Sequence, residues 1–421
     1  MKILVVLLAL FVNLNAQVIY DDYFLDRTLR LDYYHTGDAG SEIISFDELI
    51  EEPYWGGSKV NLIDNINFGN YMVKVFDEET GRLIYSRGYS TLYQEWQTTS
   101  EAKNTQRTFH GTVVFPYPKK NVVVEIYRRN KKNIFVKKFS YHVDPSEYFI
   151  SKERKFVFDN FKVRYAGNPA KKLDIVFIPD GYSADQMNQF EKDCEVFANY
   201  LFMYSPFSEN KDKINIWGIR AVSHDSGTDI PGDTVWKNTV LSSSFYTFDS
   251  ERYLMTYDYK TVRSIASNAP YDQIYILVNT DKYGGGSIYN FYSTTAARNT
   301  KTRQIFVHEF GHGLAGLADE YGDDTTYNEF YPVDVEPWEA NITTLVNFES
   351  KWKDLVGSDI PIPTPEEDKY KNVTGVFEGA GYVAKGVYRP TYNSIMRAFN
   401  SDEFNLVSKM AIQKIIDFYS E

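Results

Sequence analysis

A chain of 421 residues exceeds what one hydrophobic core usually supports, so two domains are expected. Apolar residues make up 43% and charged residues 24%, the balance of a globular protein rather than a disordered one. The net charge of −12, with no basic run of five or more residues, argues against nucleic acid and anionic membrane as partners, because both need a concentrated cationic footprint.

At the start of the chain, Lys2 precedes the apolar run from Ile3 to Val12 and then Asn13-Leu14-Asn15-Ala16-Gln17. This pattern predicts a signal peptide over residues 1–16, with no membrane span left after cleavage, because the apolar run falls short of the roughly 20 residues a span needs. Leu14, three residues before the cut, is bulkier than such sites prefer. The single cysteine, Cys194, permits no internal disulfide and no thiolate metal site. An exported chain without disulfides suggests a bacterial setting, either secreted or at the periplasm or cell surface. Cys194 itself lies in a predicted helix and reads as a small buried hydrophobe.

Residues 17–150 read as strands. Tyr71–Phe76, Thr112–Phe115 and Val122–Tyr127 are β-branched or aromatic, and turn formers such as Glu78-Glu79-Thr80-Gly81 separate them. Short strands punctuated this way predict a β-sandwich. Its histidines, His35, His110 and His142, are isolated and read as structural. The polar stretches Asp144-Pro145-Ser146 and Ser151-Lys152-Glu153-Arg154-Lys155 mark a boundary. Over 151–421 the pattern changes: strands at Leu173–Ile178, Ile214–Val222 and Gln273–Val278 alternate with helices. One of these helices is capped by Ser183 and carries Met187, Phe190, Cys194, Phe197 and Leu201 three or four apart. The fold class is therefore α+β: a β-sandwich followed by a layered α/β domain.

The chemistry concentrates in His308-Glu309-Phe310-Gly311-His312. On a helix, positions four apart share a face, so both imidazoles can reach one zinc ion. Glu309, on the neighbouring face, can act as general base toward zinc-bound water. The surrounding residues, Ile305, Phe306, Val307 and Leu314, make this helix apolar on nearly every side. It therefore runs through a core, where a metal compensates the buried polar groups. A third ligand requires the chain to fold back, and Gly316 suits the helix end that does so. Asp319 is the preferred third ligand, with Glu320 as the alternative. Two histidines and one carboxylate leave a fourth position open, as a catalytic site requires. Downstream, Asn393-Ser394-Ile395-Met396-Arg397 resembles the methionine turn beneath the zinc in metzincin peptidases, with Met396 as its methionine.

The run from His308 to Tyr321 resembles the active-site segment of the IgA peptidase family of zinc metallopeptidases. Pro179-Asp180-Gly181-Tyr182, Glu336-Pro337, Glu378-Gly379-Ala380-Gly381-Tyr382 and Tyr388-Arg389-Pro390 are similar to it as well. The resemblance implies a metzincin-like catalytic domain over 151–421, an N-terminal β-sandwich companion, and an edge strand above the cleft at Gly286 and Ser287, where an extended substrate adds by backbone pairing. The chain departs from the general metzincin pattern by one residue between His312 and Gly316, whereas the spacing from Gly316 to Asp319 is kept. Ala398 stands where some metzincins carry an oxyanion-stabilising tyrosine. The expected function is that of a monomeric, exported zinc endopeptidase acting on extended protein or peptide substrates. The rivals are a host- or glycan-binding surface protein with a degenerate peptidase domain, and a zinc amidase acting on cell-wall peptides.

Overall fold

The computed structural model describes residues 17–322 and 331–420; the expected leader over 1–16 lies outside the described residues. A single helical turn, α1 (Tyr20–Tyr23), leads into β1 (Phe24–Gly37), β2 (Glu42–Glu52), β3 (Tyr71–Asp77) and β4 (Leu83–Tyr89). A short helix, α2 (Leu92–Trp96), then precedes β5 (Arg107–Pro118), β6 (Val122–Arg129) and β7 (Phe135–Val143). These strands form two antiparallel sheets, β2-β1-β5 and β4-β3-β6-β7. Alternate residues of each strand share a face. Leu29 and Leu31 of β1 and Phe115 of β5 accordingly meet Val73 and Val75 of β3 and Val124 and Ile126 of β6 in one core. His35 is buried and lies 2.9 Å from Glu42, which is a structural role.

The rest of the chain builds a third, mixed sheet of six strands. Its strands are β8 (Asn160–Arg164), β9 (Leu173–Asp180), β10 (Ile214–Ile219), β11 (Gln273–Val278), β12 (Gly285–Ile288) and β13 (Tyr292–Ala296), in the order β12-β13-β11-β9-β10-β8. The four central strands run parallel and both edge strands antiparallel. β10 stops at Ile219 rather than Val222, because the Ala221 N–H turns back onto the Ile219 carbonyl at 2.9 Å.

Helices cover both faces of this sheet. On one side, Ile175, Phe177, Tyr275 and Leu277 pack against α3 (Met187–Leu201), α5 (Thr302–Ala315) and α6 (Leu406–Tyr419). Ser183 and Gln186 begin the first of these through a capping box, and Cys194 is buried within it. On the other side, Val176, Ile178 and Ile276 pack against Val262 and Ile265 of α4 (Tyr259–Ala266). Leu92, Tyr93 and Trp96 of α2 join this same core, so the N-terminal strands are anchored to the mixed sheet through α2. Polar links fix the junction: Ser90 N–H donates to the Tyr289 carbonyl at 2.9 Å, and the Arg263 guanidinium to Thr112 Oγ1 at 3.1 Å. No helix among the described residues is long and apolar enough to cross a membrane.

Candidate active site

Helix α5 is held by its apolar surroundings, with Phe306, Phe310 and Leu314 in the core beneath the sheet and the Tyr275 hydroxyl donating to the Phe306 carbonyl at 3.0 Å. It ends at Gly316, whose φ of 57° lies in the left-handed region that favours glycine. The chain then reverses and returns Asp319 to the histidines. His308 Nε2 and His312 Nε2 lie 3.1 Å apart. Asp319 Oδ1 is 3.2 Å from the first and 3.4 Å from the second. These three residues are the group that could hold a metal ion among the described residues. Each ring is oriented by its other nitrogen: Nδ1 of His308 meets the Ile395 carbonyl at 3.0 Å, and Nδ1 of His312 meets the Leu317 carbonyl. With Nδ1 donating to a carbonyl, Nε2 presents its lone pair to the centre of the triangle. Asp319 Oδ1 is buried and receives no hydrogen bond among the described residues, while Oδ2 accepts from the hydroxyls of Tyr321 (3.1 Å) and Tyr382 (2.5 Å).

Glu320 points away from this triangle. It is fully buried, accepts from Asn341 Nδ2 (2.9 Å) and Asn405 Nδ2 (2.7 Å) at Oε1, and from Ser394 Oγ (2.6 Å) at Oε2. Met396 lies directly under the helix. A Cβ added to Gly311 would stand 3.0 Å from its sulfur and 3.0 Å from the Phe404 ring, so any other residue there would push these neighbours by a few tenths of an ångström. The backbone around Met396 contributes too, since its carbonyl accepts from Glu320 N–H at 2.9 Å and the neighbouring Ile395 carbonyl receives His308. The stretch holding Glu378-Gly379-Ala380-Gly381-Tyr382 is a hairpin, β14 (Phe377–Ala380) and β15 (Val383–Arg389). Its two-residue turn, Gly381-Tyr382, has φ of 58° and 66°, which suits glycine but strains tyrosine by about 1–2 kcal/mol. That turn sets Gly381 N–H on the Asp319 carbonyl at 2.9 Å and Tyr382 Oη on the carboxylate.

The electrostatics favour positive charge at the triangle. Burial works against a charged His312, yet Asp319 and Glu309 outweigh it and raise the imidazole to about 9. Burial also opposes ionisation of Asp319, but His312 and His308 pull that carboxyl well below its ordinary range. Burial pushes Glu309 up, against the pull of both histidines. Glu309 faces a cleft of about 1630 Å³ that both halves of the chain line. Ala398 and Phe399 line it beside His308, and Arg252 and Tyr283 line it beside β12. The edge of β12 is partly taken: Gly285 pairs with the segment Arg252–Leu254, its N–H donating to the Arg252 carbonyl and its carbonyl accepting from Leu254 N–H. Gly286 pairs with Thr294 of β13, and the Ser287 hydroxyl lies 2.6 Å from that of Ser293. Gly286 and Ser287 both line the cleft.

The hydroxyl donors Tyr321 and Tyr382, and the three partners of Glu320, carry no assigned role in the sequence reading. Tyr321 adjoins the acidic pair, which is a usable signal; Asn341 and Asn405 have none, since only the folded chain brings them to Glu320. Comparison with known families matches residues 19–140 to the N-terminal model of peptidase M64, and residues 161–371 and 366–416 to the model described as IgA peptidase M64. No curated protein matches the chain. The matched segments span well over half of the sequence, and the chain belongs to the IgA peptidase M64 family of peptidases.

Proposed function

We propose that the chain is an exported zinc endopeptidase, working as a monomer on extended protein or peptide segments. The arrangement of His308 Nε2, His312 Nε2 and Asp319 Oδ1 carries the reading. A tetrahedral zinc with bonds of about 2.0–2.1 Å sets its ligands about 3.3–3.4 Å apart, and the three atoms are separated by 3.1, 3.2 and 3.4 Å. The unpartnered Asp319 Oδ1 fits the same donor set. When bound, zinc supplies Lewis acidity, polarising a carbonyl and acidifying water. The residues of the chain do the rest. Glu309 lines the cleft beside the triangle without belonging to it, placed to accept a proton and pass it to the departing amine. Tyr321 and Tyr382 hold Oδ2 of Asp319 and leave Oδ1 beside the two imidazoles, where it would serve as the third ligand.

The catalytic half, 151–421, is read as metzincin-like on the strength of Met396 under the helix and the antiparallel edge strand β12. The first half, 17–150, is read as a β-sandwich because its two sheets share one core. A cleft of about 1630 Å³ exceeds the roughly 300–1,000 Å³ of small-molecule pockets, which favours a polymeric substrate over a small cell-wall peptide. Backbone pairing with such a substrate falls at Ser287, past the part of β12 that Arg252–Leu254 already occupies.

Purified protein is expected to carry about one zinc per chain and to cleave an unfolded protein. A chelator should stop cleavage and added zinc restore it. Protein that is metal-free and inert after zinc loading overturns the proposal. Tyr382→Phe is expected to weaken metal binding by about 10–100-fold, the usual cost of losing a partner of a metal ligand. Competition against a graded series of chelators reads this directly, and an unchanged affinity would detach Tyr382 from the site.

A further inference from the structure

The N-terminal half of the chain reaches into the cleft with an acidic side chain that the hydrolytic machinery does not use. Glu95 sits on α2, which the apolar contacts of Leu92, Tyr93 and Trp96 fix against the mixed sheet. Its Oε2 accepts from the Tyr253 hydroxyl at 2.6 Å, and Oε1 has no hydrogen-bond partner among the described residues. A second carboxylate, Glu339, lines the same cleft. It is only 6% exposed; Oε1 accepts from the Tyr331 hydroxyl at 3.0 Å, and Oε2 is buried with no hydrogen-bond partner among the described residues. The two belong to one neighbourhood, since the charges of Glu339, Asp319 and Glu95 all act on the Tyr331 hydroxyl.

We propose that Glu95 and Glu339 form the acidic wall of a subsite that takes the side chain of a lysine or arginine in the substrate. This rests on the peptidase reading above and names the substrate chemistry it implies. A buried carboxylate oxygen without a donor is costly, and in a residue that lines a cleft a visiting donor can relieve that cost. Neither carboxylate belongs to the group that could hold a metal ion. Nearby cations do not satisfy Glu339: Lys351 Nζ donates to the carbonyls of Pro337 and Glu339 and lies 3.8 Å from Glu336. Burial pushes Glu95 up to about 7 and raises Glu339 as well, a penalty that an incoming ammonium or guanidinium relieves. Leu317 and Trp338 line the same cleft and supply apolar surface along which the stem of a long cationic side chain can lie.

The test is cleavage of a library of unstructured peptides, acetylated at the N-terminus and amidated at the C-terminus, in which Lys, norleucine and Glu rotate through every position. The zinc-loaded wild type should prefer Lys at one position relative to the cut by about tenfold or more, the size of one charge-assisted hydrogen bond. Glu95→Gln keeps the shape and should lose most of that preference while still cleaving norleucine peptides. Glu95→Lys should turn the preference toward Glu. A second arm measures binding to Glu309→Gln protein of one peptide carrying lysine or acetyl-lysine, with and without Glu95→Gln. No basic preference, a preference unchanged in Glu95→Gln, or binding indifferent to lysine acetylation overturns the subsite and leaves the peptidase reading standing. A requirement for a free N-terminus overturns it too, since the carboxylates then serve an α-ammonium. No cleavage by the wild type counts against the peptidase reading, and the binding arm still decides the subsite.

Discussion

Replacing Glu309 by glutamine is expected to lower peptide hydrolysis by about 10²–10⁴-fold, the range that a positioned general base supplies. Bound zinc and the melting temperature should be unchanged. The reasoning starts from where Glu309 stands: on α5 between the two histidines, lining the cleft, and outside the triangle of donor atoms. Glutamine fills the same volume and cannot accept the proton. It should not destabilise the helix, because burial already disfavours the charged form of Glu309. The effect should therefore appear in kcat, with KM little altered, as for an interaction made only in the transition state. Cleavage at the wild-type rate would remove Glu309 from the mechanism. Loss of zinc along with activity would instead make it part of the metal site.

The parts of this site that were legible in the sequence are those set by local geometry. His308 and His312 follow helical periodicity, and Gly316 marks the reversal that brings Asp319 back within 3.4 Å of both rings. Met396 was legible by its pattern, and Gly311 explains why it can lie so close to the helix. The sequence preferred Asp319 to Glu320 by its spacing from Gly316, but what Glu320 does instead was not legible. Adjacent residues on a turn point in different directions, and only the distant donors Asn341, Ser394 and Asn405 show which carboxylate is occupied elsewhere. The β14–β15 hairpin was missed because its turn carries tyrosine at a position where glycine or asparagine is the usual signal. The place of Glu95 in the cleft wall could not be read either, since it depends on how α2 packs against a sheet formed some eighty residues later or more. Likewise, Gly286 and Ser287 gave no hint that Arg252–Leu254 already occupies part of their strand's outer edge.

Glu320→Ala is expected to cost on the order of 3–5 kcal/mol of stability, the range seen when one member of a buried polar set is removed. Glu320 joins four parts of the structure: the loop carrying Asp319, the turn at Ser394, Asn341, and Asn405 at the start of α6. Truncation leaves the donors from Ser394 and Asn405 facing a void. It also frees the loop that positions Asp319, so metal affinity should fall with stability. Glu320→Gln is expected to behave differently. Its amide oxygen can accept from both asparagines, and its amide nitrogen can donate to the Ser394 hydroxyl, which then acts as acceptor. Burial pushes Glu320 up against the pull of Ser394, Asn341 and Asn405, so the neutral amide also removes a desolvation penalty. Glu320→Gln should therefore keep most of the stability and all of the zinc, whereas Asp319→Asn should weaken zinc binding, because a neutral amide oxygen replaces the charged ligand. Denaturant unfolding and metal analysis of the three variants separate the roles. Zinc lost from Glu320→Gln but retained by Asp319→Asn would reverse the assignment and make Glu320 the third ligand.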